Sequence, residues 1–278
     1  MKTRNLGHSV LAALLASLAL GFVGSRPVSA LGPAVSQPRA DFDARLPALA
    51  EDRGGFSLRS PKASQFARSS EVETRIPGLR LRWDGLSGSP SWVTAKPGEV
   101  LAMPFPGEPE AAAKTFLRDQ APLFGLSQEE VAGLQATAVV PSGNAGWHVH
   151  FRQTVSGIEV FGAHVVVNLR SDGAVLSAGS RLFGDLLPPG GAALDPAGAV
   201  RLALDDVYPG AAFSGEPLGD EKGLQRKVEF SGPGLGFPPR ARLVVFPEAV
   251  GGRLAWEIEV AERTRYTSYR VLIDALDG

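Results

Sequence analysis

The sequence predicts an α+β protein with two consecutive units, each a helix packed on an antiparallel β-meander, preceded by a signal peptide and an extended arm. Three observations carry this expectation. The order helix, then strands, occurs twice, around residues 108–185 and 195–276. The strands of the first set are joined by Ser156-Gly157 and Asp172-Gly173, pairs suited to tight antiparallel hairpins. The strand–helix alternation of a parallel nucleotide-binding sheet does not occur.

Composition narrows the function classes. The chain has 278 residues, 28 Lys+Arg against 29 Asp+Glu, no Cys and 44% hydrophobic residues. Near-zero charge argues against a nucleic-acid partner, which would require a basic stripe or tail. Without Cys there is no disulfide framework, thiolate zinc site or Cys nucleophile. The 33 Gly and 22 Pro imply many turns in a chain that is still apolar enough for a real core. The length fits one large domain or two small ones.

Residues 1–30 read as a signal peptide. Lys2 and Arg4 precede the apolar stretch Ser9 to Val23, and Val28-Ser29-Ala30 supplies small residues for cleavage. That stretch is shorter than the roughly 20 residues of a membrane-spanning helix, and no later segment is apolar enough to span a bilayer. A retained N-terminal anchor is the alternative. Removing this segment takes away Lys2, Arg4 and Arg26 and no acid, leaving 25 basic against 29 acidic residues. Residues 31–70, broken by Pro33, Pro38, Pro47 and Pro61, read as an extended arm whose one docking patch is Asp41-Phe42-Asp43-Ala44-Arg45.

The first unit spans 71–190. Leu79 to Trp83 alternates, Asp84 to Pro90 turns, and Trp92 to Ala95 returns. Glu108-Pro109-Glu110 opens a helix, with Pro and acids where the first turn favours them. Gly125 reads as a C-cap, and Ser127 with Glu130 as a capping box for a short second helix. Three strands follow, Trp147–Gln153, Ile158–Leu169 and Ala174–Leu182, the middle one expected to be covered on both faces because Val165-Val166-Val167 breaks its alternation. Leu187 to Gly191 is a joint. In the second unit, 191–278, Asp195-Pro196 starts a helix with Val200, Ala203, Leu204 and Val207 on one face, ended by Pro209-Gly210. Strand-like runs follow at Gln225–Ser231, Arg242–Pro247, Arg253–Val260 and Tyr266–Ala275.

Catalytic patterns are scarce. HExxH, GxSxG and a Gly-Lys phosphate loop do not occur. The Gly-rich run Gly232-Pro233-Gly234-Leu235-Gly236 precedes no helix and reads as a loop. The acids Glu129-Glu130, Asp205-Asp206, Glu257 and Glu259 read as solvated faces. His148 and His150, two apart on one strand face, are weak metal candidates that need a third ligand, and His164 is the only other His beyond the signal segment. With a two-residue turn at Ser156-Gly157, paired residue numbers sum to 313, so His164 falls on the opposite face. A turn one residue longer would pair His150 with His164 and complete the set.

Residues 147–185 carry a recognisable pattern. Trp147, Gln153, Gly157-Ile158, Val160-Phe161-Gly162, the apolar strand to Asn168 and the Asp172-Gly173 turn are similar to the signature of the fungalysin/thermolysin propeptide (FTP) domain. Ala199–Leu204, Arg242–Pro247, Leu254 to Val260 with Trp256, and Tyr269–Ala275 with Asp274 resemble the PepSY-like second half of the same pro-regions. Fungalysin precursors are the closer match, given the long arm.

The resemblance implies an exported pro-region that assists folding of a zinc metalloprotease catalytic domain and holds it inactive. That partner would be in cis if the chain continues and otherwise in trans. Zinc, the zinc ligands and the general base are implied for that protease domain, expected beyond Gly278, and this chain is expected to need no cofactor and to hydrolyse nothing. A free-standing secreted binding module or diffusible inhibitor of the same fold is the alternative. The residues themselves give structural roles: Gly157 for positive φ in a turn, Gly162 for close backbone approach, and Gln153 to brace the hairpin.

Overall fold

The computed structural model describes residues 59–278, apart from 77, 144–145, 188–189 and 264–266. The predicted signal peptide and residues 31–58 of the arm, Asp41–Arg45 included, lie outside the described residues. The last part of the arm differs from expectation: Ala63–Arg75 forms a helix, α1. Its apolar stripe is too thin to read, because Gln65 and Val72 are its buried residues. Gln65 Oε1 accepts from the Lys62 N–H at 2.8 Å, while its amide donates to the carbonyls of Gly88 and Leu123. A polar side chain docked on distant carbonyls thus replaces the apolar face that periodicity looks for.

Strands β1 (Arg80–Trp83) and β2 (Pro90–Thr94) form a hairpin. Helix α2 (Pro109–Asp119) follows Glu108 with Pro at its first position, and buries Ala112, Ala113, Phe116 and Leu117. The turn α3 (Ala121–Phe124) ends at Gly125 in the left-handed conformation (φ 73°). In α4 (Gln128–Ala132), Ser127 accepts from the Glu130 N–H and Glu130 accepts from the Ser127 N–H. Four strands come next: β3 (Gln135–Ser142), β4 (Gly146–Val155), β5 (Ile158–Arg170) and β6 (Val175–Arg181). β3, exposed along almost its whole length, is absent from the expected set.

After the joint, α5 (Pro196–Val207) is capped by Asp195, whose carboxylate accepts from the Gly198 N–H at 2.7 Å. β7 (Val228–Glu229) keeps only two residues of the expected run 225–231. β8 (Arg240–Pro247), β9 (Gly252–Ala261) and β10 (Ser268–Asp274) complete an antiparallel meander.

The fold is α+β with an antiparallel-rich sheet, but its two meanders are fused. The path runs β1-β2-β6-β5-β8-β9-β10, with β4 and then β3 beside β5, and β7 beside β8. β5 belongs to both halves: its C-terminal part lies between β4 and β6, and Val160 near its start pairs in parallel with Val245 of β8. Two apolar clusters flank this shared strand. One joins α2 to Val149, Phe151, Val165, Val167 and Ala178, and the other joins Ala199, Val200, Ala203 and Leu204 of α5 to Val245, Trp256 and Ile258. Each large side chain so buried contributes about 1.5–3 kcal/mol.

Candidate functional site

The residues singled out from the sequence meet where β5 leaves β4. At the turn, Ser156 (φ 52°) and Gly157 (φ 79°) join Val155 to Ile158, and Thr154 pairs with Glu159, so pair sums of 313 hold there. Beyond the turn the register changes, and Arg152 pairs with His164. Gln153 therefore stands alone opposite residues 160–163 of β5. In that departing stretch Val160 reaches β8, Phe161 stacks on Phe246 with ring centroids 6.2 Å apart, and Gly162 takes φ 72°. Gln153, 1% exposed, fills the gap: its amide donates to the Phe183 carbonyl at 2.5 Å and its carbonyl accepts from the Phe183 N–H at 2.9 Å. Ile158 is half-buried at the start of the strand.

Gly157 is favoured chiefly by its backbone conformation. Its φ lies in the left-handed region, and a Cβ there would stand 2.4 Å from Leu224 Cδ1, a flexible exposed side chain. Gly157→Ala is expected to cost about 1–2 kcal/mol, mostly from backbone strain, as read by urea unfolding.

The change of register corrects the histidine expectation. A shift by three, an odd number, turns the other set of β5 side chains outward, so His164, opposite Arg152, lies on the same outer face as His150 (opposite Val166) and His148 (opposite Asn168). They still do not make a zinc site. His148 Nδ1 donates to Asn168 Oδ1 at 2.6 Å, and Asn168 Nδ2 donates to Ser177 Oγ at 2.8 Å. Among the described residues, no group of three His, Asp or Glu is placed to hold a metal ion.

This outer face belongs to the six strands β1, β2, β6, β5, β4 and β3, and α2 covers the opposite side. One row across it runs Arg82, Trp92, Gly179, Val166, His150, Ala138, and the next runs Arg80, Thr94, Ser177, Asn168, His148, Val140. Val166 is half-buried, so the middle strand is not sealed on both sides as expected.

Two features were not legible in the sequence. The first is a charge ladder across β4, β5, β8, β9 and β10. Arg242 bridges Glu159 (2.6 Å) and Glu257 (2.6 Å), Arg152 reaches Glu159 at 2.8 Å, and Arg270 Nε stands 2.9 Å from Glu257. Glu257, expected to be solvated, is 2% exposed. Burial works to raise the Glu159 carboxyl, but Arg242 and Arg152 outweigh it and hold it below the ordinary range. Likewise burial opposes ionisation of Arg242, and the two glutamates more than compensate. The only signal available was Arg and Glu at alternate positions on strands otherwise apolar.

The second feature is Arg59. Its guanidinium donates to the carbonyls of Gly184 (3.0 Å), Gly251 (3.0 Å) and Glu248, and lies 5.5 Å from the Phe183 ring centre. Burial lowers its pKa. It lines a cleft of about 260 Å³ between the start of α1 and the β8–β9 turn, and so ties the segment before α1 to the far half of the sheet.

In the second half, Trp256 is fully buried with its indole N–H donating to the Leu194 carbonyl at 3.0 Å. Asp274 accepts from Arg253 (2.6 Å) and the Leu276 N–H (2.8 Å), which together outweigh burial and lower its pKa. These residues brace the fold and present no nucleophile–base pair to a cleft.

Residues 132–182 match the family model of the Fungalysin/Thermolysin Propeptide Motif, FTP. The chain is also similar to the extracellular metalloproteinase mep of Aspergillus niger, at 32% identity over 117 residues, which is 40% of this chain and 18% of that protein. The chain thus spans less than a fifth of that relative's length. The matched segment contains the Gln153 gap, the Ser156-Gly157 turn and the departing stretch of β5, and with these the chain carries a fungalysin/thermolysin-type propeptide region.

Proposed function

We propose that the chain is the pro-region of an exported fungalysin/thermolysin-like zinc metalloprotease, serving as folding assistant and inhibitor of the protease domain. The observation that carries this reading is the propeptide motif at 132–182, which includes the strand β5 shared by the two halves of the sheet. The N-terminal pattern of residues 1–30 supports export, and the second meander with α5 supports a PepSY-like second half beginning near residue 191.

The physical basis is linkage. A domain that binds the native protease and not its unfolded chain stabilises it by RT ln(1 + [L]/Kd). Tethering in one chain raises the effective concentration to about the millimolar range, so a modest intrinsic affinity suffices, and cleavage between the two removes that advantage. Zinc chemistry on this reading belongs wholly to the protease domain, and the side chains described above only hold and orient the inhibitor.

Added in trans, the purified full chain is expected to inhibit the mature A. niger extracellular metalloproteinase at tens of micromolar and to raise its refolding yield. Failure of both effects would overturn the proposal.

A further inference from the structure

We infer that the outer face of the β1-β2-β6-β5-β4 sheet is the surface that holds the protease domain, and that the partner surface is apolar opposite Trp92 and acidic opposite β1. This rests on the pro-region reading above.

One side of this sheet is sealed by α2, whereas among the described residues no helix packs on the other. Next to its edge strand β1 is an aromatic anchor. Trp92 is 42% exposed and lies over Gly179, where a Cβ would come within 3.1 Å of its ring. The missing side chain lets the indole lie against the β6 backbone, and Val166, opposite Gly179 in the same row, extends the apolar patch. A large aromatic side chain already held against the backbone has little conformational freedom left to lose on binding, as interface hot spots require.

Charge identifies the partner. No Asp or Glu occupies a paired position on this face of β1, β2, β6, β5 or β4 from Arg152 outward. Arg152 and Arg181 are neutralised by Glu159 and Asp84. Arg80 and Arg82, both exposed, have no carboxylate partner among the described residues. The chain as a whole carries a formal charge of −1, so this positive bias is local. An unpaired basic edge beside an apolar patch complements an acidic surface and speeds its association.

The test compares the full-length chain with Arg80→Glu/Arg82→Glu and with Trp92→Ala as inhibitors of the mature A. niger extracellular metalloproteinase. A control, Arg118→Glu, lies exposed on α2, away from this face. The charge reversal should weaken inhibition about tenfold or more, through slower association that no longer falls with added salt. Trp92→Ala should weaken it through faster dissociation. Arg118→Glu should change neither rate. Circular dichroism melting of each variant separates lost binding from lost folding. Unchanged inhibition by both folded test variants, with the wild type inhibiting, would overturn the assignment of this face and leave the pro-region reading standing. A wild-type chain that fails to bind the enzyme would overturn both.

Discussion

Arg242→Leu is expected to destabilise the fold by about 3–5 kcal/mol, one of the two largest effects of a single change in this molecule. Glu257 is buried, and its Oε2 takes two contacts from Arg242, at 2.7 Å (Nε) and 2.6 Å (Nη2). Removing the guanidinium leaves a carboxylate that must stay charged in an apolar setting or take up a proton. Exposed Arg270 stands 2.9 Å from its other oxygen but makes no hydrogen bond to it. Converting both partners, Arg242→Leu with Glu257→Leu, should recover most of the loss, since an apolar pair of similar volume needs no compensation. Urea unfolding at neutral pH measures all three chains. A loss below about 1 kcal/mol for Arg242→Leu would contradict the burial account.

The same ladder sets a pH dependence. The Glu159 carboxyl is held below its ordinary value because Arg242 and Arg152 outweigh burial. A carboxyl whose folded pKa lies below its unfolded value contributes stability above the unfolded pKa, about 4.3 for Glu, and loses it as pH falls through the folded pKa. Asp274 acts in the same direction. Stability should therefore fall below about pH 5, and Arg242→Leu should flatten part of that fall.

Gln153→Ala is expected to cost about 3–5 kcal/mol, the sum of an emptied site and the loss of two buried hydrogen bonds to the Phe183 backbone. Gln153→Met keeps the volume and loses only the hydrogen bonds, so it should recover the packing part, roughly half. If Met proves as damaging as Ala, the loss comes wholly from hydrogen bonding; if it matches the wild type, the clamp on Phe183 contributes nothing. Because Gln153 braces the stretch in which β5 crosses to β8, Gln153→Met should also raise hydrogen exchange at Val160 and Val245 more than in α2.

How much of this was legible in the sequence follows from the range of the forces involved. The Ser127–Glu130 box, the Asp195 cap, the left-handed Gly125 and the Ser156-Gly157 turn all depend on atoms within about four residues, and each stands where the pattern placed it. The buried faces of α2 and α5 follow from periodicity alone. The propeptide pattern at 147–185 was legible too, because its turn and strands are contiguous in sequence. Tertiary structure alone decided the rest. The β4–β5 register depended on β8, about eighty residues further on, drawing Val160 out of the ladder, and that odd shift brought His164 onto the same face as His148 and His150. Helix α1 formed where no apolar stripe announced it, because carbonyls from two distant turns satisfied Gln65. Glu257 could be buried only because Arg242 and Arg270 flank it from neighbouring strands. A strand's alternation shows which side chains share a face, but what covers that face is set by groups far away in the chain.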